Sequence, residues 1–207
     1  RGLTGGNFTV KVLNEGVHSG DASGVVPSSF RLLRQLLSRI EDEKTGRILL
    51  DGLHVDIPAE RKQQAQRAAD VVDTAICDKF PLVDGLKPMN DDLTELVLNR
   101  TWRPALSVTG IGGMPPLESA GNVLRPETAV KLSLRLPPTG AQVTLDQEKA
   151  STGWNAPAMA PWLTKAIDDA SQSFFGKPAM DRGIGGSIPF MGMLGEKFPG
   201  AQFMITG

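Results

Sequence analysis

The most regular pattern in the chain is an alternation of apolar and polar side chains over residues 129–136, and it restricts the fold more than any other feature. The apolar positions fall on one side of an extended backbone, and they are Val130, Leu132, Leu134 and Leu136. Alternation of period two over this length is typical of an antiparallel strand that is covered on one face. We therefore expect helices to pack on that face.

Three further segments have the composition of strands, at residues 8–12, 104–109 and 141–147. The last follows the 129–136 strand after the short Pro137–Gly140 connection, which is long enough only for a tight antiparallel turn. The sequence thus predicts an α+β fold that contains a four-stranded antiparallel sheet with helices on one face.

Helical spacing predicts helices between these strands. One opens at Pro27 and Ser28 and ends at Thr45 and Gly46, and another runs from Pro58 to about Phe80. A shorter helix begins with a capping box at residues 92–95 and ends near Asn99. Asp56 is expected to cap the helix that begins at Pro58.

The character of the chain changes near residues 151–157, which divides it into 1–150 and 151–207. The second part predicts a helix over 158–175, a glycine-rich turn, another helix and an apolar strand over 201–206. The buried side of the first helix is expected to carry Trp162, Ala166, Ile167, Ala170 and Phe174. A single apolar strand needs neighbours, so we expect this incomplete α/β segment to belong to a longer protein.

Composition excludes several classes of partner. The chain has 207 residues, with 22 Lys and Arg against 23 Asp and Glu, and no basic run that would follow a phosphate backbone. No apolar stretch reaches the ~20 residues that span a bilayer. Neither nucleic acid nor a membrane is an expected partner, and the absence of a signal peptide favours a cytoplasmic location.

A loop rich in glycine, residues 16–24, carries His18, one of two histidines in the chain. Glycine allows positive φ angles and close approach of the backbone, and histidine supplies a group that exchanges protons near neutral pH. The segment is either a loop that contacts a ligand or a turn whose histidine satisfies a backbone carbonyl. Spacing alone leaves both interpretations open.

Two other motifs contain groups that could bind a ligand or a metal ion. Gly185, Gly186 and Ser187 precede a predicted helix, so their N–H groups could bind a carboxylate, although a turn capped by Ser187 is the simpler interpretation. His54 and Asp56 lie two residues apart, as metal ligands on one strand face would. Two ligands do not complete a zinc site, so we interpret this pair as structural.

Taken together, three motifs in order resemble the zinc-dependent dipeptidase, aminoacylase and carboxypeptidase family that includes carnosinase. They are the His18 loop at residues 16–20, the Gly-Asn-Val-Leu-Arg-Pro segment at 121–126, and the Gly-Gly-Ser-Ile-Pro segment at 185–189. The resemblance implies that residues 1–150 form a ferredoxin-like lid and dimerisation domain. It further implies that residues 151–207 belong to the catalytic domain.

The resemblance also implies roles for individual residues. His18 would reach the active site of the second subunit of a homodimer and hold the carbonyl oxygen of a small peptide or amide substrate. Asn122 would contact the substrate beside it. Gly185, Gly186, Ser187 and a nearby arginine, Arg182, would receive the substrate's carboxylate. In the parent enzyme a zinc-bound water would attack the carbonyl carbon.

The chain departs from that family at several points. The zinc ligands and the general-base glutamate are not among its residues, so we expect this chain to bind no zinc and to be inactive alone. Arg182 stands three residues before Gly185 rather than two, and Ile184 stands where the family often has glutamate. Residues 137–140 replace a helix. The alternative function is a dimerisation or binding module that recognises a small carboxylate without chemistry.

Overall fold

The computed structural model describes residues 1–138, 149–151, 153–183 and 188–206. Its strands are β1 Gly2–Lys11, β2 Val17–His18, β3 Ala105–Gly112, β4 Val123–Leu124, β5 Glu127–Leu136 and β6 Lys149–Ser151. Its α-helices are α1 Ser19–Ala22, α2 Ser29–Leu37, α3 Ala59–Val72, α4 Ala75–Asp78, α5 Leu93–Thr101, α6 Pro161–Phe175 and α7 Pro189–Lys197. Two short 3-10 helices occupy Asp51–Leu53 and Leu117–Ser119.

The main sheet is antiparallel, with the strand order β3, β5, β1, β6. Strands β1 and β5 pair over their whole length, from Gly2 opposite Leu136 to Lys11 opposite Glu127. The predicted antiparallel α+β architecture is therefore confirmed for three long strands. The predicted strand at 141–147 lies outside the described residues, and only the three residues of β6 are seen at the free edge of β1.

One face of this sheet is covered, as the alternation in β5 predicts. Val130, Leu134 and Leu136 are buried and Leu132 is partly buried. Ile48, from the segment that follows α2, packs with Leu134 and Leu136 in one apolar cluster. Helix α2 contacts both β1 and β5, and its Leu33 is only 1% exposed.

A second apolar cluster joins helices α3, α4 and α5. Its buried members are Ala65, Ala69, Ile76, Val97 and Leu98. The alanines on α3 let α5 approach closely, because a methyl group occupies little space between two helices. Cys77 is partly buried beside this cluster.

Helix α2 begins where the sequence predicts but ends earlier. The Ser28 side chain accepts a hydrogen bond from the Arg31 N–H at 3.3 Å, yet the helix stops at Leu37 rather than at Thr45. The Asp42 carboxylate accepts from the Thr45 N–H and hydroxyl at 2.8 and 2.7 Å, which forms a turn in place of further helix. Local polar competition of this kind outweighs apolar spacing.

The predicted helix from Pro58 to Phe80 is also divided. Helix α3 ends at Val72 because Asp73 adopts φ +50° and ψ −141°, a conformation that an α-helix cannot continue through. The expected cap from Asp56 is wrong, since Pro58 occupies the N-cap of α3 with no side-chain hydrogen bond. The short α5 helix is confirmed, with the Asp92 carboxylate accepting from the N–H groups of Thr94 and Glu95.

The described residues of the second region, 153–183 and 188–206, form helices but little core. Helix α6 ends at Phe175 and is followed by Gly176, which adopts φ +66°, and the helix predicted after Ser187 is confirmed as α7. The expected buried side of α6 is wrong at Trp162 and Phe174, which are 66% and 82% exposed, and Ala166 and Ala170 are exposed as well. Residues 201–206 form no strand, because an extended segment without a hydrogen-bonded neighbour is not stable as a strand.

Candidate functional site

The structure brings the His18 loop and the Asn122 segment together. Strands β2 and β4 form a two-residue antiparallel ladder in which His18 faces Val123. The Ser19 N–H donates to the Asn122 carbonyl oxygen at 2.9 Å. Two motifs that lie about a hundred residues apart in the sequence are thus neighbours, and we call this ladder with its flanking residues the His18–Asn122 site.

The main sheet enforces this proximity. Lys11 at the end of β1 pairs with Glu127 at the start of β5. The N–H groups of Val12 and Leu13 then both donate to the Pro126 carbonyl oxygen, at 2.8 and 3.2 Å. The chain that leaves β1 and the chain that enters β5 must therefore run side by side into the His18–Asn122 site.

Side-chain hydrogen bonds hold the residues that follow Asn122 in place. The buried Ser29 hydroxyl lies 2.8 Å from the Thr128 hydroxyl and donates to the Arg125 carbonyl oxygen at 3.3 Å. The Arg125 Nε donates to the Gly113 carbonyl oxygen at 2.9 Å. Helix α2 and the end of β3 are thereby connected to the site.

Gly16 lies where the two strands of the ladder approach each other closely. A Cβ atom at Gly16 would lie 2.8 Å from Cγ1 of Val123, closer than real Cβ contacts. Gly24, at the other end of the loop, adopts φ +89° with open space around it. The sequence signal of a glycine loop is explained here by close approach and by one left-handed residue.

The His18 side chain is exposed and forms one local hydrogen bond. Its Nδ1 accepts from the Gly20 N–H at 3.1 Å, so His18 is the N-cap of α1. The ring therefore takes part in a turn, although it binds an N–H rather than a carbonyl oxygen. Its Nε2 has no hydrogen-bond partner among the described residues.

Arg182 lies in a different place, against the end of α5. A Cβ atom on the adjoining Gly183 would be 2.6 Å from Cγ2 of Thr101. The Arg100 pKa is lowered by burial and by the charge of Arg182. The Lys79 pKa is lowered by Arg100, by slight burial and by Arg182. We call Lys79, Arg100 and Arg182 the cationic cluster.

No sequence motif indicates this cluster, because its members are scattered over about a hundred residues. Arg100 contributes a buried Nε that lacks an acceptor within the part of the chain that the structure describes. Like charges that lower one another's pKa favour a bound anion. The carboxylate-binding role expected of Arg182 stays a prediction.

The cationic cluster and the His18–Asn122 site belong to opposite ends of the sheet. The Arg1 guanidinium donates to the Asn99 and Arg103 carbonyl oxygens, and burial lowers its pKa to about 10. Ala105, just after α5, pairs with Arg135 near the far end of β5. A ten-residue strand is about 30 Å long at ~3.4 Å per residue. Gly185, Gly186 and Ser187 lie outside the described residues.

The two histidines do not supply a zinc centre. His54 lies in an irregular segment rather than a strand, with its Nε2 2.8 Å from the Ile48 carbonyl oxygen. Across residues 1–138 and the other described segments, no three His, Cys, Asp or Glu side chains are grouped as metal ligands. The described residues therefore do not fit a zinc ion, and no described helix is long and apolar enough to cross a membrane.

Comparison with known proteins agrees with this architecture. Residues 1–150 match the family model of the peptidase dimerisation domain, M20_dimer. The chain is 27% identical over 155 residues to the Cys-Gly metallodipeptidase DUG1 of Saccharomyces cerevisiae. That alignment covers 73% of this chain and 31% of the yeast protein.

Solved structures share the fold. Human carnosine dipeptidase 1 aligns with a TM-score of 0.67 and 21% identity, over 95% of this chain and 46% of that protein. The M20 family metallo-carboxypeptidase Sso-CP2 of Sulfolobus solfataricus aligns with a TM-score of 0.63 and 16% identity, over 96% and 55%. The chain thus spans about a third of its curated relative and about half of these structures.

Proposed function

The chain belongs to the M20 peptidase dimerisation-domain family, and on this basis we propose that it is the lid and dimerisation part of a metallopeptidase. The proposed enzyme hydrolyses a peptide or amide bond of a small substrate. We place its metal ligands in parts of the enzyme other than the described residues. The chain would act as a homodimer, with His18 serving the active site of the second subunit.

The distance between the two ends of the sheet carries this proposal. A dipeptide extends over roughly 7 Å at ~3.5 Å per residue, whereas β5, near whose opposite ends His18 and Arg182 lie, is about 30 Å long at ~3.4 Å per residue. A substrate that touches both residues must therefore bind between two subunits. The geometry supports an active site to which one subunit contributes Arg182 and the other contributes His18.

In that site the residues of this chain have separate tasks. Imidazole Nε2 of His18 would donate a hydrogen bond to the substrate's carbonyl oxygen, where negative charge develops as the bond is attacked. Asn122 would contact the substrate beside it, as its place next to the ladder allows. The cationic cluster with Arg182 would hold the substrate's carboxylate, which fixes the direction in which the substrate lies.

Mixed dimers of the full-length enzyme test the shared site. The variants H18A and R182A should each lose most activity alone, but a mixture should recover activity, because one of the two sites in a mixed dimer retains both residues. A matched control combines H18A with the double variant H18A/R182A, which cannot form an intact site. Recovery in neither mixture would contradict a site shared between subunits.

Sedimentation of the 207-residue chain tests dimerisation directly. We expect the weight-average mass to rise with concentration towards that of a dimer. A chain that stays monomeric at every concentration would contradict the dimerisation role.

The cationic cluster favours a second candidate function, a module that binds a small carboxylate without catalysis. Calorimetric titration of the isolated chain with a small dicarboxylate such as succinate would show saturable binding that weakens in R100Q and R182Q. Arg67, on helix α3, offers the control variant R67Q. Binding together with inactive full-length protein would favour this second candidate.

A further inference from the structure

The hydrogen bond between Gly20 and His18 determines which ring nitrogen of His18 carries the proton. A backbone N–H can only donate, so Nδ1 of His18 must accept with a lone pair, at a distance of 3.1 Å. In a neutral imidazole the single proton then resides on Nε2. The other nitrogen is thereby left as a donor on an exposed side chain.

Gly20 also fits the ring sterically. A Cβ atom at this position would lie 2.9 Å from Cε1 and 3.0 Å from Nδ1 of His18. Any other residue would press on the ring at the very edge that receives the hydrogen bond. Position 20 thus combines a donor with the absence of a side chain, and only glycine offers both without displacing the imidazole.

We infer that Gly20 is a positioning residue that holds neutral His18 in the Nε2–H tautomer, so that Nε2 can donate to a ligand oxygen without prior protonation of the ring. The identity of that oxygen as the substrate carbonyl rests on the proposed function. The tautomer itself does not, and it can be measured in the isolated chain.

The second histidine provides an internal reference for the measurement. Nε2 of His54 lies 2.8 Å from the Ile48 carbonyl oxygen, which can only accept, so His54 must carry a proton on Nε2 as well. The two histidines differ in what Nδ1 does, since only that of His18 receives a backbone N–H. A His54→Gln variant assigns the two sets of resonances.

Long-range proton–nitrogen correlation spectra of the 15N-labelled chain at about pH 9, where imidazoles are uncharged, test the inference. For His18 we expect Nδ1 in the range of an unprotonated nitrogen and Nε2 in that of a protonated one, with a single tautomer populated. Gly20→Ala should shift both resonances towards the average of two tautomers. Gly52→Ala, where a Cβ meets nothing within 4 Å, is the matched control and should leave them unchanged.

A protonated Nδ1 on His18 in the unaltered chain would overturn the inference, whatever the variants do. An unchanged tautomer in Gly20→Ala would overturn the role of Gly20. In the full-length enzyme, Gly20→Ala should lower kcat and kcat/KM by the same factor, as loss of a transition-state contact does. If the tautomer is as expected but mixed dimers recover no activity, the proposed function fails and the tautomer assignment stands.

Discussion

Residues 1–138 and residues 153–206 carry similar apolar patterns, yet among the described residues only the first of these regions buries them. Every buried hydrophobic residue in the described part of the chain lies between Ala22 and Leu136. Helices α6 and α7 have no buried residue, and Trp162, Phe174 and Phe190 are more than half exposed. An apolar stripe becomes core only when a second surface covers it, so sequence pattern predicts the helix but not its burial.

The largest difference between the regions should appear in core truncations. Leu33→Ala, at a residue that is 1% exposed, should lower the free energy of unfolding by about 3 kcal/mol, since it leaves a cavity beneath the sheet. Phe174→Ala, at 82% exposure, should change it by less than about 0.5 kcal/mol. Urea denaturation followed by circular dichroism measures both. Equal losses would mean that α6 is packed as tightly as α2.

Two left-handed glycines provide a smaller contrast. Gly113 adopts φ +81° and a Cβ there would clash with the Glu127 carbonyl oxygen, whereas Gly176 adopts φ +66° in open space. Gly113→Ala should cost about 2 to 3 kcal/mol of stability and Gly176→Ala about 1 kcal/mol, the latter from backbone strain alone. Thermal unfolding of both variants tests the order. A larger effect at Gly176 would contradict the crowding described at the end of β3.

The smallest effects on stability should come from changes of pH. They should be opposite in the two regions, since one loses stability at low pH and the other at high pH. The Thr45 hydroxyl and N–H hold the Asp42 pKa below its ordinary 3.8, so the stabilisation is complete above that value and is lost as pH falls through the lower folded pKa. The Asp169 carboxylate raises the Lys165 pKa above 10.5, so that contribution is present below 10.5 and is lost as pH rises through the folded pKa.

Amide chemical shifts followed across pH measure these two transitions locally. Asp42→Asn should flatten the acid response of residues 42–46, and Asp169→Asn should flatten the alkaline response of α6. Thr45→Val keeps the backbone donors and should flatten the acid response only in part. An acid response that is unchanged in Asp42→Asn would show that another carboxylate controls this turn.

The parts of the fold that the sequence predicts are those determined by local pattern. The alternation from Val130 to Leu136 gives β5 and its covered face, and Asp92 gives the start of α5. The early end of α2 and the break at Asp73 depend on side-chain hydrogen bonds and backbone angles that apolar spacing does not represent. The burial expected for Trp162 and Phe174 fails because it depends on a partner surface, which periodicity cannot report.

The candidate site divides in the same way. Order along the chain and a family resemblance identify His18 and Asn122, and the β2–β4 ladder brings their backbones together. The roles of all the candidate site residues stay predictions: His18, Asn122, Arg182, Gly185, Gly186 and Ser187. The sequence does not predict that Lys79 and Arg100 lie together, because charges from separate elements meet only after α4, α5 and the segment at residues 180–183 have packed.

The register between β1 and β5 sets the position of His18 relative to Asn122. Since Lys11 is held opposite Glu127, a two-residue insertion in either strand would displace His18 relative to Asn122 by about 7 Å. The loops at residues 12–24 and 113–126 contribute little to the buried core. Substitutions in these loops should therefore leave the β1–β5 pairing intact, whereas insertions within the paired strands should separate His18 from Asn122.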